Sequence, residues 1–170
     1  NYPNGDTYVG EMEQGMRQGQ GTYTFKDGGT QYLGGYASNK KHGPGKITYP
    51  DGSYYEGDWA NGHRDGQGSC FYANGDTYVG HWDKGKKGGE GEYYSKTGKC
   101  WFIGTWEAGS FKLGEWKFNG GSYHGAFNRG KPAEGEGVFH FKNGNKQPGR
   151  WLAMPKGEDE EEEEEEGEGA

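Results

Sequence analysis

Glycine pairs of the form Gly-x-Gly recur along this chain, and in other proteins such pairs hold a phosphate group. The first two are Gly19-x-Gly21 and Gly43-x-Gly45. A phosphate-binding loop also needs a following Gly-Lys-Ser/Thr sequence and the start of a helix, whose free backbone N–H groups point at the ligand. Neither signal follows the glycine pairs of this sequence. We therefore predict that the chain binds no nucleotide and needs no cofactor.

Histidine and cysteine could bind a metal ion or act as nucleophiles, but their spacing supports neither role. The five histidines show no HxxxH or other paired spacing: His42, His63, His81, His124 and His140. Cys70 takes an aromatic position of the repeat described below, which indicates a small core residue and not a catalytic thiol. Cys70 and Cys100 alone make no disulfide framework. We predict no metal site, no catalytic residues and no enzymatic activity.

The composition limits the possible folds. Of 170 residues, 37 are glycine, and 27 aromatic residues outnumber the eight Val, Ile and Leu residues. Helical bundles and doubly wound α/β domains are excluded because their cores need aliphatic side chains. No apolar run reaches the length of a bilayer span, and the few cysteines favour the reducing cytoplasm. The chain begins without Met, so we expect further sequence upstream of Asn1.

A repeat of 21 to 24 residues organises the chain. Each unit begins with an aromatic residue and a glycine two places later, and most units continue with a Gly-x-Gly pair and alternating aromatic residues. The six units start near Tyr8, Tyr32, Tyr55, Tyr78, Phe102 and Tyr123. Partial units precede the first and follow the last. The array is therefore predicted to cover residues 1–151.

Each unit has the pattern of a β-hairpin. Residue types alternate with a period of two, so that aromatic residues and glycine lie on one face and mostly polar residues on the other. Steps such as Asn74-Gly75 supply the positive φ angles that tight turns need. The glycines leave room for rings to lie flat across the sheet. We predict an all-β fold without helices: an elongated single-layer antiparallel sheet of tandem hairpins.

Two segments depart from the regular array. In the fifth unit Trp116 is aligned with a glycine of the other units, and the unit is shortened before Tyr123, so we expect a disturbed twist or a contact site there. Residues 157–170 contain ten acidic residues and no basic one, while residues 1–156 contain 16 acidic and 19 basic residues. Because like charges repel and no apolar side chain anchors the segment, we expect a disordered acidic tail.

Aromatic residues at equivalent positions should form a ladder along one face of the sheet. They are Trp59, Trp82 and Trp106, with Tyr55, Tyr78 and Phe102 beside them on the same face. Two interpretations stay open for these six residues. The rings could bury one another as the core, or they could line a groove that binds an extended segment of a partner.

Basic residues collect at the hairpin tips and should line one long edge of the sheet. They are Arg17, Lys40, Lys41, Arg64, Lys86 and Lys87, together with Lys112. A charged edge discourages unwanted strand pairing. The same edge could bind an acidic protein or an anionic membrane surface. The basic content is too small for a dedicated nucleic-acid binder, so no nucleic-acid partner is predicted.

The grid Tyr-x-Gly-x-Trp-x-x-Gly, followed by Gly-x-Gly-x-Tyr, resembles the MORN repeat (membrane occupation and recognition nexus). The resemblance covers residues 2–151 at a fixed phase. It implies an elongated array of antiparallel hairpins. Such arrays occur in junctional membrane proteins, lipid kinases, a lysine methyltransferase and ciliary scaffolds, so the repeat names a fold and not a function.

Three local stretches are similar to radial spoke head protein 1 homologues of motile cilia. They are Asn-Gly-Asp-Thr-Tyr at 4–8, Asn-Lys-Lys-His-Gly-x-Gly at 39–45 and Tyr-Pro-Asp-Gly-Ser-x-Tyr-Glu-Gly-x-Trp-Ala-Asn at 49–61. An acidic run follows the array in those proteins as it does here. The departures are Met12 and Asn39, where Trp and Gly are usual, and the irregular fifth unit.

The resemblance implies a non-enzymatic scaffold in the ciliary or flagellar axoneme, a part of the cytoskeleton. Its partners would be other radial spoke head subunits or a second copy, with transient contacts to central-pair proteins. The alternative is a membrane-tethering module that binds anionic phospholipids through the basic edge.

Overall fold

A computed structural model describes residues 1–26 and 28–151, and the acidic segment 157–170 lies outside the described residues. The described part contains strands, turns and bends and no helix, which confirms the predicted all-β class. The thirteen strands are β1 (Thr7–Glu13), β2 (Met16–Thr24), β3 (Gln31–Ala37), β4 (Lys40–Thr48), β5 (Tyr54–Ala60), β6 (His63–Phe71), β7 (Thr77–Asp83), β8 (Lys86–Ser95), β9 (Cys100–Glu107), β10 (Ser110–Phe118), β11 (Gly121–Asn128), β12 (Lys131–Phe141) and β13 (Lys146–Trp151).

The strands form one antiparallel sheet in which spatial order follows sequence order. Each odd-numbered strand and the next strand make one hairpin unit, and β13 adds a final half unit. Backbone pairing joins only strands that are neighbours in this order, so the described chain forms a single open layer, as predicted. At roughly 4.8 Å per strand, the ribbon is roughly 60 Å long.

The two long edges of the ribbon are built from different turns. Along one edge, here called the turn edge, two-residue turns join the strands within each unit. In the third unit Asn61 and Gly62 have φ angles of 52° and 90°. Two successive positive φ angles are typical of the type I′ turn, whose twist matches that of paired strands. The other edge, the loop edge, carries connections of four to six residues between units, except that Asn119 and Gly120 alone join β10 to β11.

One glycine from every strand lies in a continuous row across the sheet. The row pairs Gly10, Gly21, Gly34, Gly45, Gly57, Gly68, Gly80, Gly91, Gly104, Gly114, Gly125, Gly137 and Gly149 in succession. The tyrosines that begin the units lie across this row. A Cβ atom on Gly68 would lie 2.3 Å from the hydroxyl oxygen of Tyr55. The glycines therefore leave the space for rings that the sequence predicts.

The fifth unit keeps its place in the sheet. Gly114 pairs with Gly104 in the glycine row, and Trp116 pairs with Phe102 at an aromatic position. The expectation that Trp116 replaces a glycine is therefore wrong. The fifth unit lacks one residue in the bulge after the turn, which in earlier units contains a glycine with positive φ, such as Gly66 at 102°. Its connection to β11 is also shortened, to two residues. A local change of twist stays a prediction.

Asp76 ties the loop between the third and fourth units to the fourth hairpin. The residue is buried. One carboxylate oxygen accepts a hydrogen bond from the backbone N–H of Lys96 at 2.8 Å, and the other accepts from the side-chain amide of Asn74 at 2.8 Å and from the hydroxyl of Tyr93. The Tyr93 hydrogen bond is the main reason why the pKa of Asp76 lies below its ordinary value.

We expect Asp76→Asn to lower the free energy of unfolding at neutral pH by about 1–3 kcal/mol, because hydrogen bonds to a charged acceptor are lost. A carboxylate whose pKa is lowered by folding stabilises the protein above its unfolded pKa of about 3.9 and loses that contribution as the pH falls further. The variant should therefore lose less stability than the wild type on acidification below about pH 4. Denaturant unfolding across this range checks both effects. The exposed Asp83→Asn is the control, and an equal loss in both variants would contradict the role of Asp76.

Candidate interaction surface

An interlocked set of rings runs along the aromatic face of the sheet. It consists of Tyr32, Trp59, Tyr55, Trp82, Tyr78 and Trp106, which we call the ring ladder. Trp59 and Trp82 each stand edge-on between tyrosines of successive units, and Trp106 stands edge-on to Tyr78. For example, the Trp82 ring lies 5.2 Å from the Tyr55 ring and 5.3 Å from the Tyr78 ring, at interplanar angles of 82° and 88°. Edge-to-face geometry is favourable because the positive edge of one ring meets the negative face of the next.

The polar atoms of the ring ladder are satisfied by the backbone beneath it. The indole N–H groups of Trp59, Trp82 and Trp106 donate to glycine carbonyl oxygens at 3.1–3.2 Å. The hydroxyls of Tyr55 and Tyr78 donate to carbonyl oxygens three residues later, at 2.8 and 2.9 Å. Burial raises the pKa of Tyr78 to about 12. The ladder is thus the packed core of a single-layer sheet.

The six candidate partner-binding residues differ in exposure. Trp59, Trp82, Trp106, Tyr55 and Tyr78 are buried, with Trp82 only 2% exposed, whereas Phe102 is partly buried. Direct contact of these residues with a partner stays a prediction. Other partly buried rings pack against the ladder and offer more accessible area: Tyr23, Tyr72, Tyr93, Trp116 and Phe139. The sequence repeat marks all these positions as aromatic, but it carries no signal that separates half-buried from buried rings.

The predicted basic edge divides into two sets of residues. Arg17, Lys41, Arg64 and Lys87, here called the cation row, occupy equivalent positions in β2, β4, β6 and β8 and lie over aromatic rings. The Arg64 guanidinium carbon lies 4.2 Å from the centre of the Trp82 ring, and Lys87 Nζ lies 4.3 Å from that of Tyr93. Lys40 and Lys86 precede two of these residues and are exposed. The period-two alternation of strand side chains explains this division.

The cation row stops where the repeat becomes irregular. Phe111 in the fifth unit and Pro132 in the sixth occupy the register position that a cation holds in the first four. Phe111 is buried against Trp106 and Phe127. The cation row is thus confined to the first eight strands.

Lys87 carries a charge in a partly dehydrated site. Burial lowers the pKa of Lys87 to about 8, and the pKa of Lys41 is lowered for the same main reason. The faces of neighbouring rings offset part of the lost hydration. Two open cavities flank the row: one of about 590 Å³ beside Lys87 and Trp106, and one of about 330 Å³ beside Arg17, Lys41 and Tyr36.

We expect Lys87→Met to stabilise the sheet by about 1–2 kcal/mol at neutral pH, less than the full pKa change implies because part of the side chain meets water. A base whose pKa is lowered by folding destabilises the folded state below its folded pKa, and this penalty fades as the pH rises towards the unfolded value of about 10.4. The advantage of the variant should therefore shrink between about pH 8 and about pH 10.

Thermal unfolding of both proteins checks this result, and the difference between them is the quantity to follow. Cys70, whose thiol pKa is raised by burial, contributes the opposite slope in both proteins. Exposed Lys86→Met serves as the control and should change stability little. A constant difference between wild type and Lys87→Met over this pH range would contradict the dehydrated charge.

The face opposite the ring ladder is less polar than the sequence pattern indicates. Tyr54 stacks on Phe71 with ring centres 5.7 Å apart, and Tyr94 packs on Trp101 at 4.6 Å. Trp101 is 39% exposed. The aromatic character of these positions was visible in the sequence, but it does not repeat from unit to unit and therefore carries no periodic signal.

Other kinds of site can be described for residues 1–26 and 28–151. Both cysteines are free and buried. No group of three His, Cys, Asp or Glu residues in these ranges could hold a metal ion. These ranges also contain no helix that is long and apolar enough to cross a bilayer.

The repeats match a known sequence family. A family model described as the MORN repeat matches residues 8–30, 32–54, 55–77, 78–100 and 123–146. The fifth unit falls outside these matches, although its strands β9 and β10 continue the glycine row. A comparison with curated proteins found no match. Arrays of this kind often bind proteins or membranes, and the fold is typically non-catalytic. Because the matched repeats cover more than half of the sequence, the chain belongs to the MORN-repeat family.

Proposed function

We propose that this chain is a non-enzymatic scaffold subunit of the radial spoke head in the axoneme of motile cilia and flagella. The observation that carries the proposal is the MORN array together with three stretches, at 4–8, 39–45 and 49–61, that resemble radial spoke head protein 1 homologues. The acidic run after the array supports the same assignment.

The geometry of the array suits a scaffold. A ribbon of thirteen strands roughly 60 Å long presents equivalent sites at a regular spacing. Its ring ladder makes the sheet stiff, while the half-buried rings and the cation row remain available to other spoke-head subunits or to a second copy. Charged surfaces suit the transient contacts with central-pair proteins that beating requires, because such contacts form fast and release readily.

Affinity purification from detergent-extracted axonemes tests this proposal. The tagged chain should recover spoke-head subunits in fixed proportion, and it should remain with the axoneme after the ciliary membrane is dissolved. A variant with Trp101→Ala changes only the opposite face of the sheet. Loss of one subunit from this variant would indicate a lost contact surface, whereas loss of every subunit would indicate loss of folding. Recovery of the chain only in the detergent-soluble membrane fraction would contradict the scaffold role.

The second candidate function is a membrane-tethering module. The specific observation in its favour is the cation row, whose four members have no described carboxylate within ion-pair distance. Sedimentation with vesicles that contain phosphoinositides tests this candidate. Salt-sensitive binding that is lost when Arg17, Lys41, Arg64 and Lys87 are replaced by Gln would favour the membrane role. Failure to sediment at low salt would exclude it.

A further inference from the structure

The cation row is a regularly spaced line of positive charge on one face of the ribbon. Its members come from every second strand, so neighbouring cations are roughly 10 Å apart. The ion pairs of the described chain lie elsewhere, at Lys46–Glu56 and Lys117–Glu115. The guanidinium groups of Arg17 and Arg64 donate to carbonyl oxygens of the turn edge at 2.8 and 2.9 Å, which fixes them without neutralising them.

The surroundings of the row favour an anion that approaches from the open side. Rings cover one side of each cation and remove part of its hydration. In the larger cavity, three lysines outnumber the two acids, Asp83 and Glu107. In the smaller cavity, the charged lining residues are all basic. A carboxylate placed here would gain more from each cation than in bulk water, because the local dielectric constant is lower.

We propose that the acidic segment 158–166 of the same chain binds in extended form along the cation row. The nine consecutive carboxylates of this segment supply the negative charge that would pair with the cations of the row. Strong self-repulsion already favours extended conformations in such a segment, so little further ordering is needed on binding.

The path from the sheet to the row has the required length. β13 runs in the same direction as the other odd-numbered strands, so the chain leaves the sheet at the turn edge, beside the line of the cations. Lys87 lies five strands from β13, or roughly 24 Å. The seven residues from Trp151 to Glu158 span up to roughly 24 Å when extended.

The length of the acidic segment also matches that of the row. From β8 to β2 the row crosses six strands, or roughly 29 Å. The eight steps from Glu158 to Glu166 span up to roughly 28 Å. Every third carboxylate therefore meets a cation. The segment would occupy the row until a stronger anionic partner displaces it, whichever assembly the chain belongs to.

Competition with a synthetic peptide tests the proposal. The probe is a fluorescent peptide with the sequence of residues 157–170. The proteins are the full chain and a full-length variant in which all acids at 158–166 become Gln or Asn. We expect the wild type to bind the peptide at least about tenfold more weakly, because the tethered segment competes at an effective concentration near the millimolar range. The difference should shrink at high salt.

Two further variants, both in the neutral-tail chain, assign the binding site. Replacing Arg17, Lys41, Arg64 and Lys87 by Gln should abolish peptide binding. The control removes equal charge from exposed lysines of the loop edge, at Lys26, Lys96, Lys99 and Lys142, and should keep the affinity within about twofold. Circular dichroism reports whether the first variant folds. If it does not fold, the comparison of the wild type with the neutral-tail chain still tests the proposal, because the two proteins differ only in the acidic segment.

Three outcomes would overturn the proposal. Equal peptide affinity of the wild type and the neutral-tail chain would show that the acidic segment does not occupy the row. Equal loss in the loop-edge control would show attraction to overall charge instead of a site. A wild type that sediments as a dimer while the neutral-tail chain is a monomer would place the segment on a second copy.

Discussion

Replacing Trp82 by alanine should lower the free energy of unfolding by about 3–5 kcal/mol. The side chain is 2% exposed and stands between Tyr55 and Tyr78. Its removal deletes two edge-to-face contacts, the hydrogen bond to the carbonyl of Gly68, and the ring beneath Arg64. In a sheet one layer thick no second layer can relax into the cavity. Denaturant unfolding, followed by far-ultraviolet circular dichroism and not by tryptophan fluorescence, measures the loss.

The matched control for Trp82→Ala is Trp101→Ala on the opposite face. That ring is 39% exposed and packs on Tyr94 alone among the described aromatic side chains. We expect a loss of about 1 kcal/mol or less there. If Trp82→Ala instead kept its stability and selectively lost a partner, the ring ladder would be a binding groove and not the core.

A single added methyl group at Gly68 should be at least as damaging, with a loss of about 3 kcal/mol or more. The new Cβ would lie 2.3 Å from the Tyr55 hydroxyl oxygen and 2.5–2.6 Å from two ring carbons. Tyr55 is fully buried between Trp59 and Trp82, so its ring has no free space into which it can move. The melting temperature of Gly68→Ala measures the effect.

Gly149→Ala is the control for Gly68→Ala. It belongs to the same glycine row, but an added Cβ there meets no atom within 4 Å. The change should therefore be nearly neutral. Equal melting temperatures for the two variants would contradict the claim that the row exists to seat the rings.

The fold follows from the sequence because two independent signals agree. The period-two alternation predicts strands, and steps such as Asn74-Gly75 predict turns with positive φ. Gly75, at φ 85°, lies in the connection between β6 and β7. Since each unit pairs only with its sequence neighbours, no long-range topology has to be inferred. The disagreement at Trp116 arose because glycines serve two purposes. Gly66 bends a bulge, whereas Gly68 belongs to the glycine row and seats a ring. The fifth unit lacks the bulge glycine but keeps its row glycine, Gly114.

The candidate site was harder to predict than the fold. Arg64 and Lys86 look alike in the sequence as basic residues near a turn, but strand alternation places one over the rings and the other in solvent. The burial of Trp82 depends on how closely successive units approach, which spacing along the chain does not specify. The pairs on the opposite face, such as Tyr94 with Trp101, depend on register between adjacent units.

Electron cryotomography of cilia that lack this chain tests the proposed scaffold role most directly. We predict axonemes whose spoke stalks remain but whose heads have lost density facing the central pair, with density and motility restored by the full chain. The Gly68→Ala variant should fail to restore them, whereas Gly149→Ala should succeed. Spoke heads that are complete without the chain would contradict its assignment as a spoke-head subunit.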